Sequence, residues 1–165
     1  MTIDEALDSL KKKSGDNVLK IDKTSVKRAY VEIDPKGIVP VIKHLFKGLD
    51  LRLSTVSGVD SFDGIELLYH LVNDRLGYII TVRTLLKDKK DPHIDTITSF
   101  TRSGWWIERE VHEMFGVTFD NNEDLRALLL PDEWPKGVYP LRKDFLLPKR
   151  DSRGHTHKPE GSSGI

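Results

Sequence analysis

Residues 51–85 read LRLSTVSGVDSFDGIELLYHLVNDRLGYIITVRTL, and this stretch decides the fold. It holds three strand-like runs, Leu51 to Val59, Ile65 to Val72 and Gly77 to Leu85, rich in the branched and aromatic residues that suit a pleated surface. Asp63-Gly64 between the first two is a hairpin signal, because both residues tolerate the backbone angles of a tight reversing turn. Asn73-Asp74-Arg75 marks a second turn. Strands joined this tightly pair antiparallel.

Towards the N-terminus, Val26 to Ile33 alternates, with Ala29, Val31 and Ile33 on one face, and reads as a further strand. Asp34-Pro35 then places a capping residue before a proline at the first helical position. Ile38, Val41, Ile42 and Leu45 form the apolar stripe of that helix, which Gly48 stops. An earlier helix carries Ile3, Leu7 and Leu10 on one face, with acids at its start, Lys11 to Lys13 at its end, and Gly15 after it. The predicted class is α+β: a mainly antiparallel sheet of four or more strands with flanking helices.

Towards the C-terminus, a charged turn from Lys87 to Asp91 and Pro92 precede Ile94 to Phe100, which reads as a short helix. Ser103 is placed to cap a firmer helix from Gly104 to Phe115, with Ile107, Val111 and Met114 along one side and Gly116 as its stop. Beyond Gly116 the character changes. Prolines at 131, 135, 140, 148 and 159 leave no room for a long element. Asn122, backed by Glu123 and Asp124, is expected to open one short helix through Leu130. The chain therefore divides into an α+β domain (1–116), an extended irregular arm (117–148) and a polar, flexible tail (149–165). The arm is rich in Leu, with Trp134, Tyr139 and Phe145, which disordered segments lack. A segment so apolar and so irregular lies along something. It folds back on its own sheet, or it wraps a partner; composition leans to the partner.

The totals bound the function. The 165 residues suit one domain plus tails, and 38% apolar residues suffice for one modest core. Charge is dense but balanced, 26 basic against 26 acidic residues, which argues against nucleic acid and anionic membrane as general partners. No run of ten consecutive apolar residues exists, so no bilayer span is expected. Met1-Thr2-Ile3-Asp4-Glu5 lacks the form of a signal peptide, which makes a cytoplasmic location the default. The absence of cysteine rules out disulfides and thiolate ligation of ordinary iron–sulfur clusters or zinc by this chain.

The densest polar cluster runs from Trp105 to Phe115 and contains Glu108, Arg109, Glu110, His112 and Glu113. Glu108 and His112 share a helical face, as do Arg109 and Glu113. His112-Glu113 does not make a zinc-protease helix, since Gly116 stands where the second histidine belongs. Glu108 and Glu110 point in different directions and cannot flank one bond as a hydrolase pair. The plain reading is an exposed helix face laced with ion pairs; the other is pairing across an interface. His155 and His157 sit in the polar tail as a weak H-x-H, while His44, His70 and His93 are isolated. Lys136, Arg142, Lys143, Lys149, Arg150 and Arg153 against Asp144 and Asp151 give a local basic surplus, suited to an acidic partner surface or simply solvated.

Glu108-Arg109-Glu110, two residues, Glu113, Met114-Phe115-Gly116-Val117 and Phe119 resemble the signature of the 30-kDa-subunit family of respiratory complex I, which includes related subunits of membrane-bound nickel–iron hydrogenases. Asp124-Leu125-Arg126 with Leu128-Leu129, and then Pro140-Leu141-Arg142-Lys143-Asp144-Phe145, resemble two further family elements in order and spacing. The chain departs where the family has His-Pro and here stands Asn122-Glu123, and where a second Arg gives way to Ala127. Those departures suggest a divergent branch. The resemblance implies a non-catalytic scaffold subunit that binds no cofactor, peripheral to the membrane on its cytoplasmic face. Its implied partners are a large subunit with a quinone pocket or nickel–iron site and iron–sulfur subunits, in a complex that couples electron transfer to ion translocation. Helix residues Trp105, Trp106, Glu108, Arg109, Glu110, Glu113 and Phe115 are then expected to face the partner or lock the arm. The same is expected of arm residues Leu125, Arg126, Trp134, Pro140, Leu141, Arg142, Lys143, Asp144 and Phe145. No catalytic, cofactor-binding or metal-binding residue is expected.

Overall fold

A computed structural model describes residues 1–146; residues 147–165, with the flexible tail and H-x-H expected there, lie outside the described residues. Helix α1 (Ile3–Ser14) starts at a capping box, in which the Thr2 hydroxyl accepts from the Glu5 amide and the Glu5 carboxylate accepts from the Thr2 amide. Ala6, Leu7 and Leu10 on its inner face are buried.

Five strands form one sheet in the order β1-β2-β5-β4-β3: β1 (Val18–Ser25), β2 (Arg28–Ile33), β3 (Arg52–Asp60), β4 (Ile65–Asn73) and β5 (Tyr78–Leu86). The meander β3-β4-β5 is antiparallel as expected, while β2 joins β5 in parallel. The α+β reading with four or more strands holds. Strand β1 is an addition to it. It forms the sheet edge, and every one of its residues keeps some exposure, so no alternating apolar signal announces it. One sheet face buries Ile65, Leu67, Tyr69 and Leu71 of β4 with Ile80 and Val82 of β5, in one core with the helices. The opposite face carries Glu66 and Arg83, paired at 3.4 Å, and a cross-strand ladder in which His70 bridges Ser57 and Thr81.

The helix expected from Pro35 to Gly48 is segmented. Asp34 caps a 3-10 turn, Pro35–Gly37, by accepting from the Lys36 amide; α2 (Ile38–Lys43) follows and ends in a π-turn over His44–Gly48. Two expected helices are absent. The stretch from Ile94 to Phe100 instead opens in β6 (His93–Asp95), which pairs in parallel with β7 (Thr118–Asp120) and then turns; 122–130 is irregular. The reason is physical: Thr96, Thr98, Asn122 and Asp124 spend their side chains on backbone and polar groups, which competes with helix formation.

Helix α3 (Ser103–Phe115) forms as expected, though Arg102 occupies the capping position and Ser103 lies one residue inside, bonded to the Thr101 hydroxyl. Gly116 stops it in the left-handed conformation, its amide donating to the His112 carbonyl at 2.7 Å.

Candidate functional site

The site is built on α3, whose charged residues sort by direction. Phe115 packs its ring against the backbone of Gly58 on β3, where a Cβ would sit 2.6 Å from the ring, and this close approach seats the helix on the sheet. Glu108 points inward and is 1% exposed. Its Oε1 accepts from the Ile97 amide at 2.8 Å, and its Oε2 accepts from the Thr96 hydroxyl at 2.6 Å and the Asn122 side-chain amide at 2.8 Å. Burial raises its carboxyl above the ordinary value, and the three donors pull against that rise. Thus Glu108 stitches α3 to the exits of β6 and β7. It makes no ion pair, and the reading of an exposed, ion-pair-laced face is wrong here.

Arg109 and Glu113 share the next face, and both reach the backbone of the arm rather than each other. Arg109 donates to the carbonyls of Arg126 and Ala127 at 2.8 and 2.7 Å. Glu113, itself buried, accepts from the amides of Leu128, Leu129 and Leu130 at 2.9, 2.7 and 3.3 Å. Five consecutive residues of the arm are thereby held through their main chain by one guanidinium and one carboxylate, both in charge-assisted bonds. The segment needs no helix because the clamp supplies the partners its backbone would otherwise lack.

A second set of contacts holds the arm further on. Tyr139 lies over Gly116 so closely that a Cβ there would collide with its ring. The Leu141 amide donates to the Met114 carbonyl, and Arg142 Nε donates to the Phe115 carbonyl at 2.6 Å with its guanidinium 4.6 Å from the Tyr139 ring centre. The Lys143 amide reaches Asp60 Oδ2 at 2.9 Å, at the end of β3, where Lys89 Nζ lies 2.6 Å from the other oxygen. Burial pushes the Asp60 carboxyl up, but Lys89 and the Lys143 amide outweigh it and hold it below the ordinary value. Gly116→Ala is expected to fail twice, through backbone strain at φ 71° and by expelling Tyr139. Loss of about 1–2 kcal/mol is expected, read as faster proteolysis of the arm in the purified chain.

The remaining expected residues divide as follows. Trp106 is 61% exposed with Arg109 5.3 Å over its ring, and Trp105 is half-buried. Glu110 is exposed, and among the described residues its carboxylate has neither hydrogen bond nor ion pair. Trp134 and Phe145 pack on each other at 6.0 Å, and Trp134 donates to the Val138 carbonyl at 2.8 Å. Leu125 packs half-buried against the core. Arg126 folds onto Asp124, whose carboxyl it holds down to about 2. Pro140 is half-buried, while Leu141, Lys143 and Asp144 are exposed. Thr96, the Ile97 amide and Asp60 also belong to the constellation, and nothing in their sequence context announces it. The arm's main chain is tied to this chain's own α3 and to Asp60 of β3, while Leu129, Leu141 and Leu146 stay exposed.

His112 does not form a metal-protease site, since its Nδ1 bonds the Val117 carbonyl at 2.9 Å, and Glu108 and Glu110 face opposite ways. Among the described residues no group of three His, Asp or Glu side chains is placed to hold a metal ion, and no helix is long and apolar enough to cross a membrane.

The clamp and the arm fall inside residues 31–151, which match the family model described as respiratory-chain NADH dehydrogenase, 30 Kd subunit. The chain belongs to this family. Among relatives of this 30 kDa family member, one subunit of the F(420)H(2) dehydrogenase of Methanosarcina mazei is 34% identical over 130 residues, which cover 76% of this chain and 80% of the relative. One subunit of the NADH-quinone oxidoreductase of Rickettsia bellii is 30% identical over 155 residues, covering 89% and 75%. Among solved structures, a chain of the membrane-bound sulfane sulfur reductase, an archaeal respiratory membrane complex, superimposes with a TM-score of 0.76 at 26% identity over 86% of this chain and 84% of that one. A trypsin-resistant fragment of Nqo5 shares the fold, with a TM-score of 0.62 at 22% identity over 76% of this chain and all of the fragment. As a 30 kDa family member, the chain is a peripheral-arm subunit of a complex-I-like, membrane-associated oxidoreductase of electron transport, and its partners are other subunits of such a complex.

Proposed function

We propose that the chain is a non-catalytic, cofactor-free scaffold that docks through α3 and the arm on the large subunit of its complex, the one that carries a quinone pocket or a nickel–iron site. In this reading residues 1–116 form the body and 117–148 the docking arm, on the cytoplasmic face of the membrane. Iron–sulfur clusters belong to neighbouring subunits, and the complex couples electron transfer to ion translocation. The carrying observation is the division of labour on α3. Glu108, Arg109 and Glu113 are consumed by this chain's own main chain and side chains, whereas Trp106 and Glu110, four apart on one face, are exposed, as is Leu129 of the arm segment that Glu113 holds. An exposed aromatic, an exposed carboxylate and exposed leucines on or around a backbone-locked segment are what an interface core and its charged complement require.

Arg109→Ala and Glu110→Ala test it. Both are expected to lower the fraction of chain found in assembled complex severalfold on native gels, with cluster-normalised turnover of what assembles unchanged. Arg109→Ala acts by loosening the arm. Glu110→Ala leaves the isolated chain's melting temperature within about 2 °C of wild type, as an exposed group without a partner among the described residues should. Full assembly with lost turnover would contradict the proposal.

A further inference from the structure

The hairpin between β3 and β4 ends in Ser61-Phe62-Asp63-Gly64, and Phe62 at its tip is 96% exposed, more than any other large apolar side chain among the described residues. Lone exposed apolar residues are ordinary, but this one is neither lone nor loose. The tip is fixed, because the Ser61 amide and hydroxyl both donate to the Gly64 carbonyl at 2.9 Å. Gly64 also sits so close to the Leu86 carbonyl oxygen at the end of β5 that any Cβ would collide with it. The tip is also tied to the arm. Asp60, two residues before Phe62, accepts from the Lys143 amide. Leu141 and Leu146, on either side of Lys143, are 56% and 81% exposed. Two segments far apart in sequence thus present apolar side chains at the same end of the sheet, on a pre-organised backbone that has little ordering entropy left to lose on binding.

We propose that Phe62, with Leu141 and Leu146 on the arm segment tied to the same hairpin through Lys143 and Asp60, is a second docking point, and that a neighbouring subunit of the same complex seats the ring in an apolar pocket. This rests on the reading that the arm is a docking surface, and extends that surface from α3 to the β3–β4 hairpin tip. Three side chains supply far less than the roughly 800 Å² per partner of a stable free-standing interface, so a dimer of this chain through the patch alone is not what they build. Charges at the tip are mixed, Asp63 and Asp144 against Lys89 and Lys143, so the basic surplus that recruits anionic lipid is missing.

A photo-reactive benzoyl-phenylalanine placed at position 62, and separately at 106, in the complex purified from cells tests this. Crosslinks from both positions to other subunits are expected. A crosslink from 106 with none from 62, or from 62 to lipid or to a second copy of this chain, overturns the second docking point and leaves the α3 surface standing. Silence at both positions overturns the docking reading as well. In parallel, Phe62→Ser should weaken rebinding of the purified chain to complex depleted of it by roughly thirtyfold, the effect of a hot-spot side chain, with the melting temperature of the isolated chain unmoved. Rebinding within twofold of wild type overturns the proposal.

Discussion

Glu108→Ala is expected to lower the melting temperature of the isolated chain by about 10 °C at pH 7, a loss of roughly 3–4 kcal/mol. The size follows from what the carboxylate leaves behind. The Ile97 amide, the Thr96 hydroxyl and the Asn122 side-chain amide all end on it, in a place 1% exposed. Removing one acceptor that serves two buried donors and a half-buried one costs more than removing one hydrogen bond. Glu108→Gln is expected to recover only part of the loss. One of its two head-group positions is now a donor and faces donors. Thermal denaturation of both variants checks this, and a Glu108→Ala chain within 2 °C of wild type would contradict it.

The pH dependence has a definite sign. Burial raises the Glu108 carboxyl above its ordinary value of 4.5. The folded chain therefore holds this proton to higher pH than the unfolded chain does. Its contribution is fully present below 4.5 and declines as pH rises through the folded pKa. The gap between wild type and Glu108→Ala should narrow over that window, a slope that a simple packing defect would not produce.

That Glu108 is interior could not be read from its neighbours in sequence. At helical spacing it shares a face with His112 and looks like half of a surface pair; its true partners are backbone and side chains from 96–97 and 122, where helices were expected. Three-residue strands such as β6 and β7 are too short for a period to show, and β1 as an exposed edge has no apolar face to betray it. The meander was legible because Ile65, Leu67, Tyr69 and Leu71 alternate without interruption and the turns between strands are chemically specific. α3 was legible because its apolar spacing and Gly116 agree. The arm was legible only as a puzzle. Its leucines said that it lies on something, but Arg109 and Glu113 bind main chain at 126–130, and main chain is the same in every sequence. Asn122 shows the limit of motif reading too. It departs from the family pattern, which has His there, yet it still supplies a donor to Glu108.

Glu113→Ala is expected to free the arm while leaving the body folded. The amides of Leu128, Leu129 and Leu130 lose their shared acceptor, and these residues are less buried than the donors around Glu108, so water replaces part of what is lost. The effect is local, about 1–3 kcal/mol. Hydrogen exchange at those three amides should therefore quicken by roughly tenfold to a hundredfold, trypsin should cut after Arg126 and Lys136 early, and the melting temperature should fall by much less than in Glu108→Ala. Assembly should suffer more than stability. A partner that meets a pre-ordered arm binds without ordering it, whereas a freed arm must be ordered at the moment of docking, and that cost comes directly out of the affinity. Arg109→Ala releases the other end of the same five residues, so the two variants share one structural unit and their effects on exchange should be less than additive. If Glu113→Ala left exchange at 128–130 unchanged, the carboxylate would not be what holds the arm. If it freed the arm and assembly were undiminished, the arm would not be what the complex binds.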